Sequence, residues 1–157
     1  MFTLQIIENN DPLPAGWLEP FKQYASVPDD GRDAMLLHLL KSAILRVQEY
    51  ADRAILRCRV RQTGESDPET GLFRLYLGGG EDLSVTYDYG GEEASYTQKE
   101  ANLLRILPRG SAVAAEFTTV PLDSWREQAR PTVLRYATAL YDGEDPATLN
   151  SILNEVL

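Results

Sequence analysis

Few residues in this chain are of a type and spacing that could do chemistry. There is one histidine, His38, and one cysteine, Cys58. His38 falls on the polar side of a helically periodic stretch, where a solvated or hydrogen-bonded imidazole is expected rather than a general base. Cys58 alternates in phase with Leu56 and Val60, while Arg57, Arg59 and Arg61 point the other way, so a small buried hydrophobe is expected rather than an activated thiolate. A single cysteine also rules out an intrachain disulfide or a thiolate metal cluster within one chain. Glu65, Asp67 and Glu69 resemble half of a calcium loop, but the EF-hand spacing and its final glutamate are missing, so a solvated loop is expected. Gly78, Gly79 and Gly80 are followed by Glu81 and Asp82 rather than a lysine, which suits a hairpin turn better than a phosphate cradle. No catalytic group, cofactor or metal is expected. A cleft built on Tyr87, Asp88 and Tyr89, serving a small ligand or a hydrolytic reaction, remains open as a minor alternative.

Those residues are carried by a chain of 157 residues, 43% hydrophobic and 25% charged. That is enough for one ordinary core, and a single domain over 1–157 is expected. No apolar run approaches the ~20 residues of a membrane span, and the opening MFTLQIIENNDPLP lacks the basic start and cleavage site of a signal peptide. The expectation is a protein that is cytosolic where it is made, without a membrane partner. A net charge of −9 argues against a surface that grips nucleic-acid phosphates.

The organising element is 33–53, DAMLLHLLKSAILRVQEYADR. At 100° per residue, Leu36, Leu37, Leu39, Leu40, Ala43, Ile44, Val47, Tyr50 and Ala51 share an arc of roughly 160°, which predicts an amphipathic helix. Asp29, Asp30 and Asp33 mark its start. A strand is expected in FTLQII and a short helix on Leu18, Phe21, Tyr24 and Ala25. Strands follow at Leu56–Arg61, in FRLYL and in LSVTYDY, and a last one at Ala112–Val120. TQKEANLLRIL fits a helix by propensity and an edge strand at Leu103–Leu107 equally well. Ser124 and Glu127 have capping-box spacing, and Pro131 predicts a kink or a fresh helix start. Asp145 and Pro146 open a terminal helix whose apolar side is Leu149, Ile152, Leu153, Val156 and Leu157. The fold class expected is α+β, predominantly helical. Helical parts span about 15–54 and 123–157, and an antiparallel sheet or hairpins over about 55–120 are inserted between them.

This order of elements, with LLHLLKSAILRVQEYADRAI, then PTVLRYATALYDGE, then DPATLNSILNEVL, resembles the phage head-tail connector family. Its members are adaptor proteins that assemble as a ring beneath the portal. The resemblance runs from about Trp17 onward and departs from the family at Thr63–Arg109, which is longer and richer in strands. It implies a small helical bundle with an inserted sheet. The implied function is that of a structural, non-enzymatic virion protein, joining portal to tail and forming part of the DNA conduit. Its place would be the virion neck, reached after assembly in the host cytoplasm. A homo-oligomeric ring, portal and tail or neck proteins, and DNA passing without specific binding are the implied partners. A cytosolic protein-binding module using its exposed sheet is the alternative.

Within a ring, three features become candidate intersubunit contacts. Leu45 stands nearly alone on the polar side of the long helix. Arg57, Arg59 and Arg61 emerge about 7 Å apart on one strand face, and Glu65, Asp67 and Glu69 begin an acidic segment that one subunit would offer to the stripe of the next. Leu149, Ile152, Leu153 and Val156 form an apolar face that would dock on its own subunit or on a partner.

Overall fold

The computed structural model describes residues 2–28 and 31–155. Asp29, Asp30, Val156 and Leu157, four of the residues singled out above, lie outside them. The chain forms two compact units, one built from 11–56 with 121–157 and the other from the N-terminal residues to Asn10 with 57–120.

The first unit is helical: α1 (Leu13–Gly16), α2 (Leu18–Ala25), α3 (Asp33–Ala51), α4 (Asp123–Tyr141) and α5 (Pro146–Asn154). Periodicity selects what α3 buries, namely Leu36, Leu40, Ala43, Ile44 and Val47. The helix ends at Asp52 in the left-handed conformation (φ 51°), with the Arg53 amide bonding back to the Gln48 carbonyl at 3.2 Å. Facing it, α4 buries Trp125, Ala129, Val133, Leu134, Tyr136 and Ala137.

Two expectations for α4 are corrected. It starts at Asp123 without a side-chain cap, and it runs through Pro131 as one helix. Pro131 and Glu127, whose carbonyl loses its partner amide, are both exposed, so water can take the freed acceptor. By contrast, Asp145 does cap α5, accepting from the Thr148 amide at 2.8 Å.

The helical unit joins two distant parts of the chain, and polar side chains close the junction. Arg126 donates through Nε to the Ile55 carbonyl at 2.8 Å and through Nη2 to Asp11 Oδ2 at 2.7 Å. The Asp11 side chain is only 5% exposed. Gln48 Oε1 accepts from the Ile55 and Leu56 amides at 3.1 and 3.2 Å. Trp125 Nε1 donates to the Arg53 carbonyl at 3.3 Å, and the Arg53 guanidinium lies 4.5 Å from the centroid of the Trp125 ring.

The second unit holds the strands, with one 3-10 turn at Tyr76–Gly78. Strands β1 (Thr3–Glu8), β2 (Arg59–Glu65), β7 (Ala112–Thr119) and β4 (Gly80–Tyr87) form an antiparallel sheet in the order β1-β2-β7-β4. Strands β3 (Leu72–Arg74), β6 (Leu103–Leu107) and β5 (Ser95–Glu100) form a second one in the order β3-β6-β5. Its core is the inward half of each alternation: Val60, Phe73, Val85, Leu104, Ile106, Val113, Ala115 and Phe117. Gln62 shares that phase and is fully buried. Its Nε2 donates to the Arg74 carbonyl and its Oε1 accepts the Tyr76 amide, both at 2.8 Å, so one amide ties β2 to the segment leaving β3.

The expectation of a predominantly helical bundle is therefore corrected. Of the described residues 41% are helical and 29% lie in strands, making two sheets rather than an insertion of hairpins. The excess comes from 95–107, where strand pairing overrides the helix propensity of TQKEANLLRIL: β5 is polar and largely exposed, and the bonds to β6 hold it. Strand β2 also begins three residues later than the alternation suggests, because Ala54, Ile55 and Leu56 are buried in succession before pairing starts. No described helix is long and apolar enough to cross a membrane.

Replacing Gln62 by leucine keeps the volume and removes both bonds. Urea denaturation is expected to show a loss of about 1–3 kcal/mol; unchanged stability would show that this amide does not hold β2 to the residues after β3.

Candidate functional site

His38 is exposed on α3, and Ser42 Oγ donates to its carbonyl at 3.0 Å. Cys58 is buried, its amide donating to Thr119 Oγ1 at 2.9 Å and its sulfur 3.6 Å from that oxygen. Among the described residues no group of three histidine, cysteine, aspartate or glutamate side chains could hold a metal ion. The glycine run is set by packing: a Cβ on Gly79 would lie 2.4 Å from the Ala101 carbonyl oxygen, and one on Gly80 1.9 Å from that of Thr118. Tyr87 is spent within its own sheet unit, its hydroxyl donating to the Leu107 carbonyl and accepting from the Ser95 amide. Tyr89 is 96% exposed.

The arginine stripe is engaged on its own sheet. Arg57 pairs with Glu81, and Arg59 donates to the Asp82 carbonyl at 2.7 Å and Thr118 Oγ1 at 3.3 Å. Arg61 lies 3.8 Å from the Glu116 carboxylate directly opposite it on β7. Exposed pairs of this kind contribute little stability each; they offset the charges of Arg57 and Arg61, while Arg59 is held through a carbonyl and a hydroxyl.

The acidic loop is a built turn rather than a loose segment. Asp67 Oδ1 accepts the Glu69 and Thr70 amides at 2.8 and 2.9 Å, and these bonds hold its carboxyl below the usual aspartate value of 3.8. Buried Ser66 accepts the Gly110 and Ser111 amides on its Oγ at 3.0 and 3.1 Å, and Arg109 donates to the Glu69 carbonyl at 2.7 Å. Glu65 and Glu69 remain exposed. Beside the loop lies an open groove of about 600 Å³ lined by Phe2, Leu72, Leu103, Glu65, Asp67 and Arg74, among others. Phe2 packs edge-on against Phe73 and Tyr76 and presses on Gly64, where a Cβ would come within 2.2 Å of its ring.

Of the apolar candidates, Leu45 is half-buried rather than exposed. Ile152 and Leu153 are buried in the helical unit where α5 meets α4, and Leu149 is half-buried. Arg135 pairs with Glu155 and Tyr50 with Asn154, fastening the same helix. The polar side chains that tie each unit together internally, Gln48 and Arg126 in the helical unit and Gln62 in the sheets, have no counterpart among the candidates read from sequence. Only Gln62 had a signal, its place in phase with Cys58 and Val60.

No family model matches this chain, and no curated protein matches it in sequence. Three solved structures contain chains with a similar fold. One comes from the neck of an empty gene transfer agent particle computed with C6 symmetry (16% identity, TM-score 0.65). Another is from the virion of the native gene transfer agent particle (14%, 0.63), and the third from the neck of the native particle computed with C12 symmetry (15%, 0.60). Each similarity covers 98% of this chain and 94% of the other.

Two outcomes follow from this geometry. Leu153→Ala should destabilise the helical unit by about 2–5 kcal/mol, as for other fully buried leucines, and circular dichroism melting that does not shift would place α5 outside its core. Asp67, with a folded pKa below its unfolded value, contributes stability that is present above pH 3.8 and lost as pH falls through the lower folded value. NMR titration should give an Asp67 midpoint below 3.8 that moves up to it in urea; equal midpoints would mean that the turn does not bind the carboxylate.

Proposed function

We propose that this chain is a structural subunit of the neck of a phage-like particle. In this reading it is an adaptor of the head-tail connector type, forming a ring between portal and tail and lining part of the DNA conduit. The observation that carries the reading is the similarity of fold over 98% of this chain and 94% of chains that belong to gene transfer agent particles. Two of those structures are necks computed with C6 and C12 symmetry, which is the setting a ring-forming subunit needs. Proteins of the portal and tail are its partners, the virion neck its place, and the host cytoplasm the site of assembly. It works by assembly and not by catalysis.

The charge suits that role. A net charge of −9 repels the phosphates of passing DNA, so a duplex moves through without being gripped. Repeated self-contact requires two different surfaces on each copy, the heterologous geometry that closes into a ring. The fastening of α5 within the helical unit and of the arginine stripe on its own sheet leaves other exposed surfaces for that contact.

Light scattering should give the purified chain the mass of a multi-copy ring, either alone or once portal rings are added. A chain that stays monomeric with portal present contradicts the proposal.

A further inference from the structure

We infer that strand β1 carries an open sheet edge that pairs with the same edge of a second copy of this chain, antiparallel across a two-fold axis. A strand edge presents backbone amides and carbonyls in a row, so an extended segment is what satisfies it. β1 pairs with β2 on one side, and among the described residues its other side makes no backbone hydrogen bond. The remaining sheet edges are closed or guarded. Along β3, the Leu72 carbonyl accepts the Asp67 amide at 2.9 Å and the Arg74 carbonyl accepts from Gln62 Nε2 at 2.8 Å. Along β4, the Ala94 amide donates to the Val85 carbonyl at 2.9 Å and the Tyr87 amide to the Glu92 carbonyl at 2.8 Å, while a bulge lies between Glu81 and Ser84. β5 is interrupted at Lys99, where its register shifts between Gln98 and Glu100. In β1 the run Thr3–Ile6 is regular and holds neither a charge nor a proline; its bulge falls after Ile6.

Side chains select the occupant. Leu4 lies opposite buried Gln62 and Ile6 opposite buried Val60, so both point to the core side of the sheet, yet each is half-buried. Gln5, opposite Arg61, points outward and is exposed. A strand laid along this edge must therefore bring apolar side chains to the core side and polar ones to the other. β5 presents Tyr96 and exposed Gln98 on its core side, opposite Ile106 and Leu104, and fits this less well. β1 fits itself. A two-fold axis through Gln5 sets Leu4 against Ile6 of the second copy and Ile6 against its Leu4, with the two Gln5 side chains opposite each other on the outer face. Shifting the register by two residues puts Glu8 opposite Leu4 in one direction and sets Ile6 against a residue before β1 in the other. A pairing this short lies at the small end of interface sizes, so the dimer is weak and reversible. It is isologous, whereas the contact that closes a ring is heterologous, so the pair is a state of the chain outside the ring and does not depend on the neck reading.

Sedimentation velocity of the full-length chain at rising concentration should show a monomer–dimer equilibrium. Gln5→Lys alone and Gln5→Glu alone each set like charges opposite one another, and should raise the dimer dissociation constant about fivefold with an unchanged melting curve. An equimolar mixture of the two should dimerise more strongly than either variant. Gln5→Cys under mild oxidation, with buried Cys58 as background, should give a homodimer linked through residue 5. A wild-type chain that stays monomeric throughout, or a mixture no better than its components, overturns the inference. Variants that instead weaken binding to portal rings, with no rescue on mixing, would give the edge to a strand of another protein and overturn it as well. Rings that form with portal from a chain showing no residue-5 pairing remove this contact and leave the neck reading standing; residue-5 dimers that never form rings do the reverse.

Discussion

The helical unit depends on one side chain in the first turns of α4. Its two segments, 11–56 and 121–157, are separated by the whole run from 57 to 120, so contacts across that gap in sequence must hold them together. Apolar packing between α3 and α4 supplies the driving force, but it is not directional. Arg126 supplies direction, because a guanidinium has donors in a fixed fork and here they reach the Asp11 carboxylate and the Ile55 carbonyl at once. With Gln48 on the amides of Ile55 and Leu56, and Trp125 on the Arg53 carbonyl, the residues just before the chain enters the sheets are bonded through their backbone. A buried ion pair is no guarantee of net stability, but it is costly to break and therefore specifies one arrangement.

Much of the helical unit was legible because its signal is periodic. The apolar arc of α3, the recurrence of Leu18 and Phe21, and the Asp-Pro start of α5 all reappear in the fold. What periodicity could not show was the use of polar residues inside. Gln48 adjoins the apolar arc and reads as surface, yet it is buried because the returning chain brings it two amides. In the sheets the signal weakens with strand length. β3 has three residues and β5 no apolar alternation, so pairing with β6 decides both, and pairing is non-local. That is why the sequence by itself understates the strand content.

Which of the candidate contact residues are already engaged within their own chain is less legible than the fold, for a related reason. Charge patterns in sequence show which residues differ in sign, but not which are already paired. The arginine stripe is visible as an alternation, while the pairing of Arg61 and Arg57 depends on Glu116 lying opposite Arg61 and on Glu81 at the start of β4. Likewise, the apolar side of α5 reads as available until α4 is seen to cover Ile152 and Leu153. Tyr89 went the other way: in sequence it is one of two tyrosines in an alternating strand, and only the turn at Gly90 and Gly91 sets it apart from Tyr87.

Negative-stain electron microscopy of the purified chain, with portal rings added if it does not assemble alone, tests the central claim most directly. Class averages should show closed rings with rotational symmetry and a central opening wide enough for duplex DNA. Isolated single chains, or open filaments that never close, would contradict a neck subunit built on a repeated self-contact.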